Sequence, residues 1–244
     1  MGIIGGKVGT TILRKLFPRD QQSGNRSPED HCESELIEIF TKNYRSEIKD
    51  KVIIDFGCGD GRLAVEIAQN SARKVIGIDI QDRLLRRGTD LAARRAVSDR
   101  CSFGTDTEER ADIIVCKDAF EHFENPGEVL DKMSCLIKPN GYVIGSFGPP
   151  WLHPFGGHLF SVFPWSHLLF TEKALCCWRA DFKTDGAMRF HEVEGGLNRM
   201  TISRFKNLVA KSLFVLANIE CIPIKGMEIC KWKIFREFAT SVIK

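Results

Sequence analysis

The sequence has 244 residues, with a hydrophobic fraction of 43%, a charged fraction of 27% and a formal net charge of only +3. This length suits one α/β domain that carries an insertion. The weak charge gives no strong signal for a nucleic-acid partner. No apolar stretch reaches the ~18 residues that a membrane span needs, and no signal peptide is evident, so we expect no transmembrane segment and a cytoplasmic location.

Residues 1–30 are predicted to form an N-terminal arm or lid. Glycines interrupt regular structure here, and residues 1–26 carry five basic side chains and one acidic side chain. An apolar and basic piece at residues 12–17 leaves three interpretations open: a lid helix, a helix on a membrane surface, or a mobile tail. Chain termini are poorly ordered unless other residues tie them down, so a mobile terminus is the favoured prediction.

Helices and strands alternate between residues 28 and 147. Continuous apolar runs are typical of strands buried on both faces, and apolar residues spaced three or four apart are typical of helices. The patterns predict helices at 28–40, 62–70, 82–97 and 129–137, and strands at 51–56, 74–80, 101–105, 111–116 and 141–146.

The alternation stops at residues 148–200, which are rich in proline, glycine, histidine and aromatic residues. It resumes with a helix at 201–212 and a strand at 213–222, and a last short helix and strand are expected within 228–243. The sequence therefore predicts a Rossmann-like, doubly wound α/β fold with a mostly parallel seven-stranded sheet and an aromatic-rich cap insertion after the fifth strand. The expected units are an arm at 1–30, a core at 31–147, the cap insertion at 148–200 and a C-terminal completion of the sheet at 201–244.

The turn after the first predicted strand reads DFGCGDG at residues 55–61. Glycine lets a backbone turn sharply and approach a ligand, and the helix that follows aims its free N–H groups at that ligand. The spacing G-x-G-x-G differs from the G-x-G-x-x-G of dinucleotide folds and suits the aminoacyl part of a smaller nucleoside. Asp79 ends the second strand about 20 residues later, where a carboxylate accepts hydrogen bonds from ribose hydroxyls. We therefore predict a nucleoside site at this loop.

Three segments carry a family resemblance, and they read VIIDFGCGDGRLAVEIA (52–68), VIGIDI (75–80) and ADIIVCKDAFEHFENPGEVLDKMSCLIKPNGYVIGS (111–146). The sequence resembles the class I, Rossmann-like S-adenosylmethionine-dependent methyltransferases over roughly residues 50–147. It departs from the usual turn before the fifth strand at Asn140, where the family has a glycine. The resemblance implies that S-adenosylmethionine is the cofactor and S-adenosylhomocysteine the product.

The resemblance also implies which residues bind the cofactor. The glycines of the loop would line the methionine part, Asp79 would hold the ribose, and Ile80 would pack on the adenine. The residues after the fourth strand would face the methionine end, and an acidic residue after the third strand would lie near the adenine amine. The full set is Asp55, Gly57, Cys58, Gly59, Gly61, Asp79, Ile80, Asp106, Lys117 and Asp118.

The acceptor is expected to bind in the cap insertion. Nine aromatic residues and four of the six histidines fall within residues 151–191, directly after the fifth strand, where α/β sheets bind ligands. The substrate-binding candidates are Trp151, Phe155, Phe160 and Trp165, although some aromatic residues of this segment would form a core of their own. His153 and His158 flank a loop that could close over a substrate, so they are the first candidates for a general base. His122 is the next.

Metal and disulfide chemistry are not expected. The nine cysteines contain no C-x-x-C pair, and no export signal accompanies them, which favours reduced thiols. His153, His158 and His167 with Cys176 or Cys177 match no standard zinc spacing, so no metal site is predicted.

The favoured function is methylation of a small organic molecule, with oxygen as the expected acceptor atom. Methylation of nitrogen, of a macromolecule or of a lipid-linked acceptor is the alternative, supported by the basic N-terminal arm and by basic and aromatic residues at 231–236. A nicotinamide-dependent oxidoreductase is less favoured, because the glycine spacing does not suit a dinucleotide. The sequence leaves the acceptor and the oligomeric state open.

Overall fold

The structure, a computed structural model, describes residues 2–18, 46, 48–193, 195–222 and 238–243. Its helices are α1 (Gly6–Leu16), α2 (Arg62–Gln69), α3 (Asp82–Arg94), α4 (Pro126–Leu136), α5 (Ser166–Leu169), α6 (Glu172–Arg179) and α7 (Ile202–Lys211). Its strands are β1 (Val52–Phe56), β2 (Lys74–Ile78), β3 (Cys101–Gly104), β4 (Ala111–Cys116), β5 (Ile137–Phe147), β6 (Leu216–Ile222) and β7 (Phe238–Ile243). Short 3₁₀ turns lie at His158–Phe160 and Phe190–Glu192.

The strands form one sheet in the order β3-β2-β1-β4-β5-β7-β6. The first five strands of the chain pair in parallel, and β7 pairs antiparallel with both β5 and β6. The direction of connection reverses between β1 and β4, and open α/β sheets bind their ligands at such a point, beyond the carboxyl ends of the strands. The parallel α/β architecture predicted from the sequence is confirmed.

Helices cover both faces of the sheet. Alternate residues of β1 point to opposite faces, so Ile53 joins a cluster with residues of α2 and α3, whereas Ile54 joins a cluster with residues of α4 and α7. Because all five residues of β1 are buried, the strand appears in the sequence as an uninterrupted apolar run. The two clusters fix the sheet, and thereby the position of the loops at its carboxyl edge.

The predicted elements between residues 51 and 147 are present, with shifted ends. Helix α4 begins at Pro126, three residues before its predicted start, because proline at the first helical position needs no hydrogen-bond partner for its nitrogen. Strand β5 begins at Ile137, where the sequence predicted the end of a helix. The helix predicted at 28–40, the basic residues at 231–236 and most of the predicted C-terminal helix lie outside the described residues.

The residues between β5 and α7 contain short helices and a third hydrophobic cluster, to which the N-terminal helix contributes. Leu13 of α1 is fully buried against α6. The N–H groups of Ile3 and Ile4 donate to the Leu169 carbonyl at 2.9 Å, and the Trp178 indole N–H donates to the Phe17 carbonyl at 2.9 Å.

Residues 2–18 are therefore ordered on the third cluster and are not a free tail. The apolar face of α1 covers part of the third cluster, and these long-range hydrogen bonds tie the terminus down. Among the described residues, no helix has the length and apolar character that crossing a membrane requires.

Candidate active site

The loop between β1 and α2 adopts left-handed backbone conformations at its three glycines. Gly57, Gly59 and Gly61 have φ values of 78°, 53° and 78°, which side chains with a Cβ rarely adopt. A Cβ at Gly57 would lie 2.9 Å from the Cβ of Ala119, so the loop packs closely against the segment after β4. A Cβ at Gly59 would meet no atom within 4 Å, so this glycine faces open space. The glycines thus leave space at this loop that side chains would partly fill, and we call residues 57–61 the glycine cradle.

Gly61 has a different role from the one that the sequence suggested. A Cβ at this position would overlap the Phe103 ring and approach the Gly88 Cα, so Gly61 permits close packing of α2 against α3 and β3. Phe103 also fills the space left by Gly77 and Gly88. No local sequence pattern indicates this packing, because these residues are distant in the chain and their fit depends on the sheet order.

Asp79 holds the glycine loop in place. The Gly59 N–H donates to Asp79 Oδ2, and the Gln81 N–H donates to Asp79 Oδ1, each at 2.9 Å. A carboxylate oxygen accepts more than one hydrogen bond, so both oxygens keep acceptor capacity for hydroxyl groups of a ligand. Next to it, the Ile80 side chain is 91% exposed, which leaves an apolar surface available at the carboxyl edge of the sheet.

A cavity of about 190 Å³ lies between the glycine loop and the segment after β4. Asp118 at its wall has φ of 47° and is fixed by Ser146 of β5: the Ser146 hydroxyl donates to Asp118 Oδ1 at 2.8 Å and accepts from the Asp118 N–H at 3.0 Å. The cavity is lined by Asp55, Gly57, Cys58, Asp60, Arg62, Leu63, Lys117 and Asp118. The carboxylates of Asp60 and Asp118 at this wall are suited to the positively charged amino group of an amino-acid ligand.

The lining includes residues that the sequence analysis did not select. Asp60 and Arg62 form an ion pair at 3.0 Å at the cavity wall.

Cys58 is buried, and burial together with the charges of Asp55 and Asp79 raises the pKa of its thiol, so it remains protonated. Asp106 carries a side chain that is 65% exposed and pairs with Lys132 at 2.9 Å.

The candidate bases differ in the state of their ring nitrogens. The Gly196 carbonyl lies 2.8 Å from Nδ1 of His122, and a carbonyl can only accept, so Nδ1 of His122 carries the proton. In the neutral ring Nε2 is then an acceptor, and it has no hydrogen-bond partner among the described residues. This partly exposed histidine lies in the segment after β4 whose Ala119 and Phe123 contact the position of Gly57.

His158 contacts His122, with ring centroids 5.4 Å apart. Burial, with a further contribution from His122 and His167, lowers the pKa of His158 to about 4, so it is neutral at physiological pH. Its Nε2 is buried and has no hydrogen-bond partner among the described residues. His158 thus adjoins His122, and its depressed pKa makes it a weak base.

The geometry argues against His153 as a base. His153 is 1% exposed, and its Nδ1 accepts the Phe155 N–H at 3.1 Å, so the proton of the neutral ring lies on Nε2 and no lone pair is available. The loop at 154–157 is not an open flap either. A Cβ at Gly156 would overlap the Pro150 carbonyl, and one at Gly157 would overlap the His167 side chain, so these glycines permit tight packing.

The four aromatic candidates lie in different surroundings. Phe160 is 2% exposed in the third cluster and contacts Phe190 at a centroid distance of 4.7 Å, so it is a core residue and not a wall of a pocket. Phe155 and Trp165 are partly exposed. Trp151 lines a cavity of about 470 Å³. His167 uses both ring nitrogens in hydrogen bonds, to the Trp151 carbonyl and to Ser161, and the described residues contain no group of three or more potential metal ligands.

Two polar residues, half-buried Asn198 and buried Glu121, connect the segment after β4 to the rest of the site, and neither was predicted. The Asn198 amide donates to the carbonyls of Phe120 and Phe123 at 2.6 and 2.7 Å. Glu121 is 2% exposed, its Oε1 accepts the Gly148 N–H at 2.9 Å, and burial raises its pKa to about 8. These contacts join residues far apart in the chain, so no local sequence pattern could reveal them.

A family model described as "Methyltransferase domain" matches residues 25–185, which is more than half of the chain. Among curated proteins, ribosomal protein L11 methyltransferase of Photobacterium profundum is 34% identical over 99 residues, covering 39% of this chain and 33% of that protein. The ubiquinone biosynthesis O-methyltransferase of Stutzerimonas stutzeri is 31% identical over 104 residues, covering 39% of this chain and 44% of the relative. The matched region thus spans less than half the length of these curated relatives.

Solved structures match over more of the chain. Magnesium protoporphyrin IX methyltransferase from Synechocystis, solved with bound S-adenosylhomocysteine, has a TM-score of 0.54 and 14% identity. The match covers 86% of this chain and 80% of that structure. At this identity the likeness concerns the fold, and it agrees with the parallel α/β architecture.

Proposed function

We propose, for a chain that belongs to the methyltransferase domain family, that it methylates a small organic acceptor held by residues 148–200, with oxygen as the acceptor atom. S-adenosylmethionine is the cofactor of this enzyme class, and it supplies a methyl group that its sulfonium already activates. The protein has to bind this donor, align the acceptor with it and exclude water.

One observation carries the proposal: the glycine cradle opens beside Asp79 and the cavity at the carboxyl edge of the sheet. Gly59 faces open space, Asp79 keeps acceptor capacity for ribose hydroxyls, and exposed Ile80 offers an apolar surface for a base. Lys117 and Asp118 line the cavity that would hold the methionine end. Asp106 remains a proposed contact to the adenine amine, after release from Lys132.

His122 is the proposed general base. Its Nδ1–H is held by the Gly196 carbonyl, so its Nε2 lone pair can accept the proton of an acceptor hydroxyl as the methyl group is transferred. His158 would contact the acceptor from the cap side, and Phe155, Trp165 and Trp151 would supply apolar walls. The proposal therefore orders the histidines differently from the sequence analysis, which favoured His153 and His158.

Methylation of a protein or of a lipid-linked acceptor is the second candidate. It is supported by relatives named for ribosomal protein L11 methylation and for ubiquinone biosynthesis. A screen that measures S-adenosylhomocysteine formation against small hydroxylated molecules, and against ribosomal proteins in parallel, separates the two.

Calorimetric titration with S-adenosylhomocysteine tests the cofactor site. The wild-type protein should bind it, with a raised Tm by mass action. Asp79→Ala should weaken the affinity at least tenfold, since a lost hydrogen bond to a charged group costs about 1.5–3 kcal/mol. Asp90→Ala, on the exposed surface of α3, is the matched control and should bind normally. Failure of the wild type to bind S-adenosylhomocysteine, with binding of a nicotinamide dinucleotide instead, would overturn the proposal.

A further inference from the structure

A second cavity, of about 470 Å³, lies in the segment between β5 and α7. This volume is within the range of small-molecule sites in proteins. We call it the arginine pocket, and the lining residues that matter here are Trp151, Glu172, Lys173, Arg189, Phe190 and Arg199. None of these residues belongs to the glycine cradle.

Arg199 is held in a fixed orientation at the pocket wall. Its Cζ atom lies 5.7 Å from the ring centroid of Trp151 and 5.1 Å from that of Phe190. Its Nη2 donates to Oε2 of Glu172 at 2.7 Å. A guanidinium has five N–H donors in a planar fork, so donors remain for a ligand after this bond. Because the aromatic contacts already restrict the side chain, it would lose less conformational entropy when a ligand binds.

The pocket has an excess of positive charge. Lys173, Arg189 and Arg199 line it, whereas Glu172 is its one acidic lining residue. Both oxygens of Glu172 are engaged, because Oε1 accepts the Phe190 N–H at 2.7 Å and Oε2 accepts from Arg199. Lys173 and Arg189 form no ion pair within the described part of the chain. An anionic ligand would therefore find Lys173 and Arg189 without an ion-pair partner among the described residues, and the remaining N–H donors of Arg199.

The arginine pocket shares lining residues with a neighbouring cavity. Arg199 and Phe190 also line an adjoining cavity of about 280 Å³ that reaches Asn198 and Glu124. The Asn198 amide holds the carbonyls of Phe120 and Phe123, on either side of His122. A ligand with its charged end in the arginine pocket could thus extend toward the segment that carries the proposed base.

We propose that the arginine pocket binds the anionic group of the methyl acceptor, so that the acceptor is an organic acid with a planar apolar body. Arg199 and Arg189 would bind the carboxylate, with Trp151 and Phe190 against the apolar body. The inference rests on the proposed function only in taking residues 148–200 as the acceptor site, and binding can be measured without methyl transfer. Charge-assisted and bidentate hydrogen bonds from arginine favour a carboxylate over a neutral group of the same shape.

The test uses 2-naphthoate and its neutral counterpart 2-naphthamide as probes, each titrated into the full-length protein by calorimetry. We expect 2-naphthoate to bind at millimolar concentration or below and at least tenfold more tightly than 2-naphthamide, with an affinity that falls as salt is added. Arg199→Gln should weaken 2-naphthoate binding about tenfold or more, and Arg189→Gln should weaken it less, because Arg189 is exposed.

Arg95→Gln, at an exposed position after α3, is the control and should leave binding unchanged. An unchanged S-adenosylhomocysteine affinity in each variant shows that the fold is intact. Should Arg199→Gln fail to fold, the result for Arg189→Gln decides. Equal affinity for the two probes, no binding of 2-naphthoate, or full binding by both arginine variants would overturn the inference. S-adenosylhomocysteine binding is measured separately, so any of these results would leave the proposed cofactor site unaffected.

Discussion

The glycine loop and the segment between β5 and α7 use the same residue type for opposite purposes. In the loop, Gly59 adopts a left-handed conformation and leaves open space where a ligand can approach. In the later segment, Gly156 and Gly157 allow backbone and side chains to pack so closely that no Cβ fits. Glycine therefore indicates a ligand site only when the surrounding fold leaves its open side empty. The histidines differ in the same way, since His122 keeps a lone pair and His153 does not.

The largest expected effect separates these two histidines. His122→Ala should lower turnover by roughly 10²–10⁴-fold, the range for loss of a general base, with unchanged S-adenosylhomocysteine affinity. His153→Ala should leave chemistry much less affected, because the Nδ1 atom of His153 accepts a backbone N–H. Turnover is measured as S-adenosylhomocysteine formation with the acceptor found in the screen. Equal losses in both variants, or full turnover in His122→Ala, would remove the proposed distinction.

The next effect tests whether Phe160 belongs to a core or to a binding wall. Phe160→Ala should reduce the free energy of unfolding by about 3–5 kcal/mol, the usual cost of truncating a fully buried phenylalanine. Phe155→Ala, at a partly exposed position in the same segment, should cost less. Urea denaturation of both variants gives the comparison. Equal losses of stability in the two variants would show that Phe155 belongs to the core as much as Phe160 does.

A pair of glycine variants tests the two uses of glycine directly. Gly61→Ala combines a left-handed conformation with overlap of Phe103, so it should destabilise the protein by about 2–5 kcal/mol. Gly186→Ala, with φ of 72° and no atom within 4 Å, should cost only the backbone term of about 1–2 kcal/mol. Thermal unfolding of both variants checks the difference, and equal costs would contradict the packing role of Gly61.

The last expected effect is a slope in the pH dependence of stability. Burial raises the pKa of Glu121 to about 8 in the folded protein, above its ordinary value of 4.5. The stabilising contribution is therefore complete below about pH 4.5 and is lost as the pH rises through 8, by at most about 1.4 kcal/mol per pH unit. Glu121→Gln keeps an oxygen for the Gly148 N–H and should remove this slope.

Urea denaturation between pH 5 and 8 measures the effect. His158, with a pKa lowered to about 4, contributes in the opposite direction: its stabilisation is present above pH 6.5 and is lost as the pH falls toward 4. The Glu121→Gln variant keeps this acid-side loss, so the two groups can be distinguished. An identical alkaline slope in the wild type and the variant would show that Glu121 is already ionised in the folded protein.

The sequence by itself determined the parallel core and the position of the glycine loop. Strand β1 is an apolar run buried on both faces, and the glycines that follow it must turn the chain, so the signal lies within a few neighbouring residues. Asp79 was predictable for the same reason, because it ends the next strand at the same edge of the sheet.

Only the tertiary structure decided the surroundings of the histidines, of Phe160 and of Arg199. The free lone pair of His122 depends on a carbonyl 74 residues away at Gly196, and the orientation of Arg199 depends on Trp151 and Glu172. Proton positions and packing are set by such distant contacts, which leave no periodic pattern in the sequence. Helix α1 differs from its prediction for the same reason, since the surface that orders it is formed by residues 169–181.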